Sequence, residues 1–181
     1  MKTFVTSDIH LFHKNILKFE SESRPFSSLD EMHNVIINNW NSKITNDDIV
    51  YILGDISFGK LNETVDILVQ LNGKNLILIL GNHDNQLVRQ ESFRTCFSQI
   101  FPLLEIKVNG KYYTLCHYPM LSWNKSHINS YQLFGHLHSK WKGNNQQLNV
   151  GMDCHNLTPI NFDDIPSLLS KLPDREDFFN K

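Results

Sequence analysis

Five short segments of this sequence place potential metal ligands next to residues that favour turns. They are Ser7-Asp8-Ile9-His10, Gly54-Asp55, Gly81-Asn82-His83-Asp84, Cys116-His117 and Gly135-His136-Leu137-His138. Together they offer enough oxygen and nitrogen donors to hold two metal ions that share a carboxylate. Paired divalent ions are used to hydrolyse phosphate esters, so the types and order of these residues predict hydrolytic chemistry at phosphorus.

The donor types narrow the choice of ion. The candidate ligands are aspartate, asparagine and histidine side chains, without a thiolate among them. This mixture of oxygen and imidazole nitrogen suits Mn, Fe, Co, Ni or Zn, whereas it is too rich in histidine for a magnesium or calcium site. We therefore expect two divalent ions, with Mn as the first choice.

Each segment has a simpler explanation when it is taken alone. Gly54-Asp55 is compatible with an ordinary turn, Asp8 with a cap at a strand end, and Gly81-Asn82-His83-Asp84 with a left-handed turn that leads into a helix cap. His136 and His138 could simply share one face of a strand. All of these explanations would have to hold at once, so the metal interpretation is favoured.

The polar segments follow apolar runs that predict β-strands. These runs are residues 4–6, 49–53, 76–80, 112–116 and 133–134. In open α/β sheets the carboxyl ends of the strands converge on one crevice, where ligands bind. Residues far apart in sequence are therefore expected to meet there, and Gly54, Gly81 and Gly135 allow the sharp turns that this requires.

The remaining pattern predicts an α/β protein. In the first half, a helix that starts near Ser28 and a second helix over residues 61–71 alternate with the strands, which is typical of a parallel sheet. In the second half, Asn109-Gly110 lies between two strand patterns and predicts a hairpin. The chain contains no internal repeat or obvious linker, and we expect residues 1–181 to form one domain.

Charge and cysteine content limit the partners and the compartment. The chain has 17 basic and 19 acidic residues and a net charge of −2, which does not favour long nucleic acid as the partner. Its three cysteines do not form a disulfide framework, and its first residues lack the apolar core of a signal peptide. The longest apolar run, residues 76–80, is too short to span a bilayer. We expect a cytoplasmic protein without membrane contact.

The order of the five segments resembles the calcineurin-like metallophosphoesterase superfamily, and the resemblance extends from Thr6 to about Asp153. Three further stretches are similar to short bacterial and bacteriophage members without a cap domain: Arg24-Pro25-Phe26, Asn39-Trp40-Asn41 and Asn149-Val150-Gly151-Met152-Asp153. The resemblance implies a four-layer α/β fold in which two mixed β-sheets pack as a sandwich flanked by helices. The strand pattern alone is equally compatible with a single sheet.

The resemblance also assigns roles to individual residues. Asp8, His10 and His138 would hold one ion, Asn82, His117 and His136 would hold the second, and Asp55 would bridge the two. A hydroxide that bridges the ions would attack phosphorus in line with the leaving group. His83 would donate a proton or hydrogen bond to the leaving oxygen, and Asp84 would orient that imidazole or raise its pKa.

Residues outside the ligand set are candidates for substrate contact. We nominate Arg24 for the phosphate group, because a guanidinium matches phosphate geometry. A surface ion pair of Arg24 with Glu20 or Glu22 is the alternative. Three aromatic residues could form a wall for a base or an aromatic leaving group, although packing is their commoner use. These residues are Tyr118, Trp123 and Trp141.

These observations predict a phosphodiesterase or phosphatase that acts on a small nucleotide-like substrate, because the chain has no room for a large specificity domain. The alternatives are a nuclease, a protein serine/threonine phosphatase and a scaffold that binds metal without catalysis. The scaffold is disfavoured, because all seven ligands and His83 are present. The sequence leaves open the preference for monoesters or diesters, the native pair of metals and the oligomeric state.

Overall fold

Two β-sheets form the centre of the protein in the structure, a computed structural model that describes residues 1–176. Within that range the strands are β1 (Thr3–Thr6), β2 (Ile49–Ile52), β3 (Asn75–Ile79), β4 (Gln99–Phe101), β5 (Leu104–Val108), β6 (Lys111–Leu115), β7 (Ser130–Phe134), β8 (Gly143–Asn144), β9 (Gln147–Asn149) and β10 (Ile160–Asn161). Each sheet contains five of them.

The helices are short apart from one. They are α1 (Ile16–Phe19), α2 (Leu29–Lys43), α3 (Leu61–Leu68), α4 (Glu91–Arg94) and α5 (Ile165–Leu169). Helix α2 begins as predicted, since the Ser28 side chain accepts a hydrogen bond from the Glu31 N–H and satisfies one of the free amides of the first turn. A span of lipid bilayer needs about 20 apolar residues, and no helix among residues 1–176 has that length and composition.

Both sheets are mixed. The first has the order β10-β1-β2-β3-β4, in which β1 to β4 run parallel and β10 pairs antiparallel with β1. The second has the order β5-β6-β7-β9-β8, with parallel strands in the centre and antiparallel strands at both edges. Two mixed sheets flanked by helices confirm the fold that the resemblance implied, and they exclude the single sheet.

Alternation along the strands of the first sheet explains its two buried faces. Successive side chains of a strand point to opposite sides. Phe4 and Leu78 therefore pack with the helices, whereas Val5 and Ile77 pack against the second sheet. This double burial is the reason that β1 and β3 are apolar at consecutive positions.

The two sheets meet where their central strands end. Ser7, directly after β1, forms a bridge with Gly151, which lies just after β9. The Ser7 hydroxyl also donates a hydrogen bond of 2.7 Å to the carbonyl oxygen of Leu53, after β2. The carboxyl ends of strands from both sheets are thus joined at one edge, and the polar segments identified in the sequence begin there.

Candidate metal centre

The seven predicted ligands come together in two adjacent groups. Asp8, His10 and His138 form one group, and Asp55, His117 and His136 form the other, each offering one ligand atom per residue within 4.8 Å of the others. Asn82 joins the second group, because its Oδ1 lies 3.0 Å from His117 Nε2. The side chains from five distant segments therefore share one site, as the positions of the strand ends predicted.

Asp55 lies between the two groups. Its Oδ2 atom is 3.6 Å from His10 Nε2 in the first group and 3.5 Å from His117 Nε2 in the second. Its Oδ1 atom accepts a hydrogen bond of 3.0 Å from the His83 N–H, which fixes the carboxylate plane. One oxygen of Asp55 therefore faces an imidazole of each group.

The backbone of this site is in a conformation that the sequence did not reveal. Five of the seven ligand residues have positive φ angles: Asp8 at 56°, His10 at 54°, Asp55 at 57°, His136 at 68° and His138 at 48°. A non-glycine residue adopts this left-handed region only rarely, at a cost of about 1–3 kcal/mol. Such residues persist where the surrounding structure holds them, and here they coincide with the candidate ligands.

Two glycines let the backbone approach the carboxylates. A Cβ atom on Gly135 would collide with the Asp8 carboxylate, and one on Gly81 would collide with the Asp55 carboxylate. The His136 N–H, next to Gly135, donates to both Asp8 oxygens at 2.9 and 3.1 Å. Glycine is thus required at these two positions because the space of a side chain is taken by a candidate ligand.

The rings of two candidate ligands, His117 and His138, are held by an acceptor on Nδ1. His117 Nδ1 lies 2.7 Å from the carbonyl oxygen of Leu53, and His138 Nδ1 lies 2.8 Å from Asp153 Oδ2. In both rings the acceptor fixes the proton on Nδ1, which leaves the Nε2 lone pair for a metal ion.

His10 provides the clearest indication that the site suits a cation. Its Nε2 atom is buried, and within residues 1–176 it has no hydrogen-bond partner. The nearest carboxylate oxygens, of Asp8 and Asp55, lie 3.7 and 3.6 Å away, beyond hydrogen-bond distance. A buried nitrogen without a partner is costly, and a divalent ion between these groups would satisfy it. The residues present therefore fit a pair of metal ions.

The charges at the centre are set by the contacts between aspartate and histidine. Burial alone would raise the pKa of Asp55, but hydrogen bonding and charge from His117 lower it to about 2. For His117, burial alone would lower the pKa, but the neighbouring carboxylates outweigh burial and raise it. The pKa of His138 is raised in the same way by Asp153 against the effect of burial. The lowered pKa means that Asp55 is ionised at neutral pH, as a candidate metal ligand must be.

His83 lies at the mouth of the site, whereas Asp84 has a different position from the one expected. The His83 side chain is 42% exposed, with Nε2 3.9 Å from Asp55 Oδ2. Both oxygens of the buried Asp84 accept backbone N–H groups, from Asp55, Ile56 and Gly81, at 2.8–3.0 Å. The prediction that Asp84 orients the His83 imidazole is wrong, because its carboxylate is used to hold the segment that carries Asp55.

The assignment of Arg24 to phosphate contact also needs correction. Its side chain has no exposed surface, so it does not reach a substrate. It forms an ion pair with Asp153, with 2.6 Å between Arg24 Nε and Asp153 Oδ1, and not with Glu20 or Glu22. The sequence did contain one sign of this pair, since Asp153 ends one of the stretches that carried the resemblance.

Of the three aromatic residues predicted to line the site, Tyr118 is the one with an exposed ring beside the candidate ligands. Tyr118 is 44% exposed and lies 5.0 Å from His117 and 4.9 Å from His136, between ring centroids. Trp123 is buried and donates to Ser130 Oγ, and Trp141 stacks on Phe134.

A second exposed aromatic residue at the site was missed in the sequence. Phe58 is 42% exposed, and its ring centroid lies 4.4 Å from that of His83 and 5.4 Å from that of His10. Its position three residues after Asp55 was the only signal available. Tyr118 and Phe58 therefore border different groups of ligands.

Known proteins with similar sequences and structures cover nearly all of this chain. The sequence model of the calcineurin-like phosphoesterase family matches residues 1–169. An uncharacterized protein of Methanocaldococcus jannaschii is 31% identical over 179 residues, which cover 94% of this chain and 92% of that protein. The gene 66 protein of a Mycobacterium phage is 28% identical over 185 residues, covering 86% of this chain and 90% of the phage protein.

A solved structure shares the fold. It is that of a protein of unknown function from Aquifex aeolicus, with a TM-score of 0.73 and 24% sequence identity, over 92% of this chain and 98% of that chain.

Proposed function

The chain belongs to the calcineurin-like phosphoesterase family, and from this premise we propose that it is a metal-dependent hydrolase of phosphate esters. The observation that carries the proposal is the position of Asp55 between two groups of candidate ligands, with its Oδ2 atom 3.5–3.6 Å from an imidazole of each. Sharing one carboxylate brings two cations close enough to act on a single phosphate group.

Some residues of the centre would bind the metal ions, and others would hold the ligand side chains in position. Two divalent ions bound there supply a water molecule of lowered pKa as the nucleophile and positive charge against the phosphate oxygens. The His83 N–H holds Asp55 through Oδ1, while Oδ2 faces His10 and His117, so this carboxylate would contribute to metal binding in both groups. The His136 N–H donates to both oxygens of Asp8 and restrains that carboxylate. Mn²⁺ is our first choice for both positions.

His83 is the residue that we propose as the proton donor to the leaving group. It is the exposed histidine next to Asp55, whereas His10 and His117 are buried among the ligands. Its ring packs against Phe58 at 4.4 Å between centroids, which restricts its rotation at the mouth of the site. A positioned acid of this kind typically contributes about 10²–10⁴-fold to the rate.

We propose a small nucleotide-like phosphoester as the substrate class. Tyr118 and Phe58 offer exposed rings beside the two ligand groups, and such rings favour planar aromatic groups. The net charge of −2 does not favour long nucleic acid. Aromatic rings also stack on single-stranded bases, so a nuclease is the alternative that the experiment must separate.

The experiment compares substrates on one reconstituted protein. The full-length chain is stripped with a chelator, supplied with Mn, Fe, Co, Ni or Zn, and assayed with mono- and bis-(p-nitrophenyl) phosphate, cyclic nucleotides, a phosphoserine peptide and single-stranded DNA. We expect turnover of the small esters that depends on the ion. Preferential cleavage of DNA would establish the nuclease, and two bound ions without hydrolysis of any ester would overturn the proposal in favour of a scaffold.

A further inference from the structure

We infer that Arg24 and Asp153 form a buried brace that positions the ligands of the first group, Asp8, His10 and His138, and so sets the metal affinity of that group alone. The inference rests on the proposed function, because it assumes that the centre binds two ions. It concerns residues outside the ligand set, and it predicts that the two ions respond differently to one substitution.

Both oxygens of the Asp153 carboxylate bond to Arg24, and one of them also pairs with a candidate ligand. Oδ1 accepts from Arg24 Nε at 2.6 Å and from the Ser23 hydroxyl at 2.8 Å. Oδ2 accepts from Arg24 Nη2 at 3.1 Å and pairs with His138 Nδ1 at 2.8 Å. A guanidinium that bonds both oxygens fixes the plane of the carboxylate. The plane of Asp153 then fixes the ring and the tautomer of His138.

The other side of Arg24 reaches the segment that carries the remaining two ligands. Its Nη2 donates to the carbonyl oxygen of Asp8 at 2.7 Å, and its Nη1 donates to that of Ile9 at 2.9 Å. Asp8 and His10 are both in the left-handed region, which is unfavourable unless neighbouring groups hold the chain. One guanidinium therefore contacts the backbone of Asp8 and, through Asp153, the ring of His138, across about 130 residues of sequence.

Stability of the fold is a weak explanation for this pair. Removing two charges from water costs several kcal/mol for each ion, and well-packed apolar residues often stabilise a core equally well. Arg24 and Asp153 have side chains that are completely buried, so the full cost applies. In the second group the histidine is held by a neutral acceptor, because His117 Nδ1 donates to the carbonyl oxygen of Leu53. The contacts of the Arg24–Asp153 ion pair with candidate ligands fall on the first group, at the Asp8 carbonyl oxygen and His138 Nδ1, which is what a selective positioning role predicts.

The test counts and measures bound Mn²⁺ on the full-length chain after removal of metal, by equilibrium dialysis and calorimetric titration. We expect the wild-type chain to bind two ions. Asp153→Asn keeps the shape but removes the charge opposite His138 and Arg24. We expect it to bind one ion with wild-type affinity and the other about 10–100-fold more weakly, the range for losing the partner of a metal-binding histidine. Excess Mn²⁺ should restore the second ion.

A matched control exists at the opposite end of the first sheet. Asp48 is buried like Asp153 and accepts N–H groups of Lys2 and Thr45 at 2.6 and 2.9 Å. Asp48→Asn removes a buried carboxylate charge at the other end of β2 from Asp55, where its partners are Lys2 and Thr45 and not candidate ligands. We expect it to lower the melting temperature of the metal-free chain while both Mn²⁺ affinities stay at the wild-type values.

A second variant keeps the inference testable if Asp153→Asn does not fold. Arg24→Lys retains a positive charge near Asp153 but cannot reach all of the acceptors, because an ammonium lacks the planar fork. The same selective loss is expected.

Three results would overturn the brace alone, given two ions on the wild-type chain. They are unchanged affinities in a folded variant, equal losses for both ions, and failure of both variants to fold. A folded wild-type chain that bound no Mn²⁺ would instead overturn the proposed function and the brace with it.

Discussion

Two buried aspartates at opposite ends of β2 show how similar residues serve different purposes. Asp48 lies just before the strand and Asp55 just after it, and they are 4% and 2% exposed. Both oxygens of Asp48 are taken by donors from Lys2 and Thr45. Asp55 gives one oxygen to the His83 N–H and directs the other at histidines of both groups. Of these two aspartates, the candidate ligand is the one with an oxygen that faces histidines instead of backbone donors.

The same substitution at both aspartates is the strongest test of the difference between them. The charge stabilisation that metal ions supply is worth several kcal/mol, and each 1.4 kcal/mol is about tenfold in rate. We expect Asp55→Asn to lower turnover of bis-(p-nitrophenyl) phosphate roughly 10⁴-fold and to lower the affinity for both ions. Asp48→Asn should remain within a few-fold of the wild-type rate. A fully metallated and active Asp55→Asn protein would contradict the bridging role.

The next largest effect is expected at His83, which borders Asp55 but is not in the ligand set. His83→Ala should retain both ions and lose about 10²–10⁴-fold in turnover of an alkyl phosphate ester, whose leaving group needs a proton. Turnover of a p-nitrophenyl ester should fall much less, because that leaving group departs as an anion. Equal turnover of the alkyl ester by the variant and the wild-type chain would remove the proposed acid.

A smaller effect is expected from the glycine that touches Asp55. A Cβ atom on Gly81 would lie 2.6 Å from the Asp55 nitrogen, so Gly81→Ala should lower the free energy of unfolding by about 1–3 kcal/mol through overpacking. It should also weaken metal binding. Gly110 in the β5–β6 turn has φ of 80° and open space around it, so Gly110→Ala should cost about 1–2 kcal/mol with metal affinity unchanged. Denaturant titrations with and without Mn²⁺ separate the two cases, and equal metal binding in both variants would refute this view of Gly81.

The ends of the strands explain how much of the site could be predicted. Asp55 follows an apolar run that favours a buried strand, and parallel strands bring their carboxyl ends together, so its meeting with the segment after the neighbouring strand β3 could be foreseen. The hairpin at Asn109-Gly110 was equally clear, because both residues take the positive φ angles that this turn needs. These predictions rest on local patterns that have few structural solutions.

The contacts of Arg24 and Asp84 could not be predicted in the same way. The partner of Arg24 is Asp153, 129 positions away, and the nearby Glu20 and Glu22 were the natural candidates on local spacing. Asp84 follows His83 directly, yet its carboxylate turns inward to three backbone amides. The partner of a buried charged group depends on which donors the tertiary fold leaves unpaired. Those donors cannot be identified from the sequence. The left-handed φ angles of the ligands were hidden for the same reason.

A pH dependence of metal binding is also expected, because the pKa values of the candidate histidine ligands shift in different directions. His117 and His138 have pKa values raised above 6.5 by neighbouring carboxylates, whereas burial lowers the pKa of His10. A raised pKa means that the metal-free chain holds these protons to higher pH than a free histidine does, and a metal ion must displace the protons to bind. Mn²⁺ affinity should therefore fall as pH decreases from 8 to 6, by up to about tenfold per pH unit for each proton displaced.

The same carboxylates predict the direction of the change in stability without metal. A histidine with a raised pKa stabilises the fold below its unfolded value of 6.5, and this contribution is lost as pH rises through the folded pKa. Asp153→Asn removes the largest influence that raises the pKa of His138, so its Mn²⁺ affinity should depend less on pH. Calorimetric titrations of both chains at pH 6, 7 and 8 measure this difference. Identical pH profiles would show that the Asp153 charge does not act on His138.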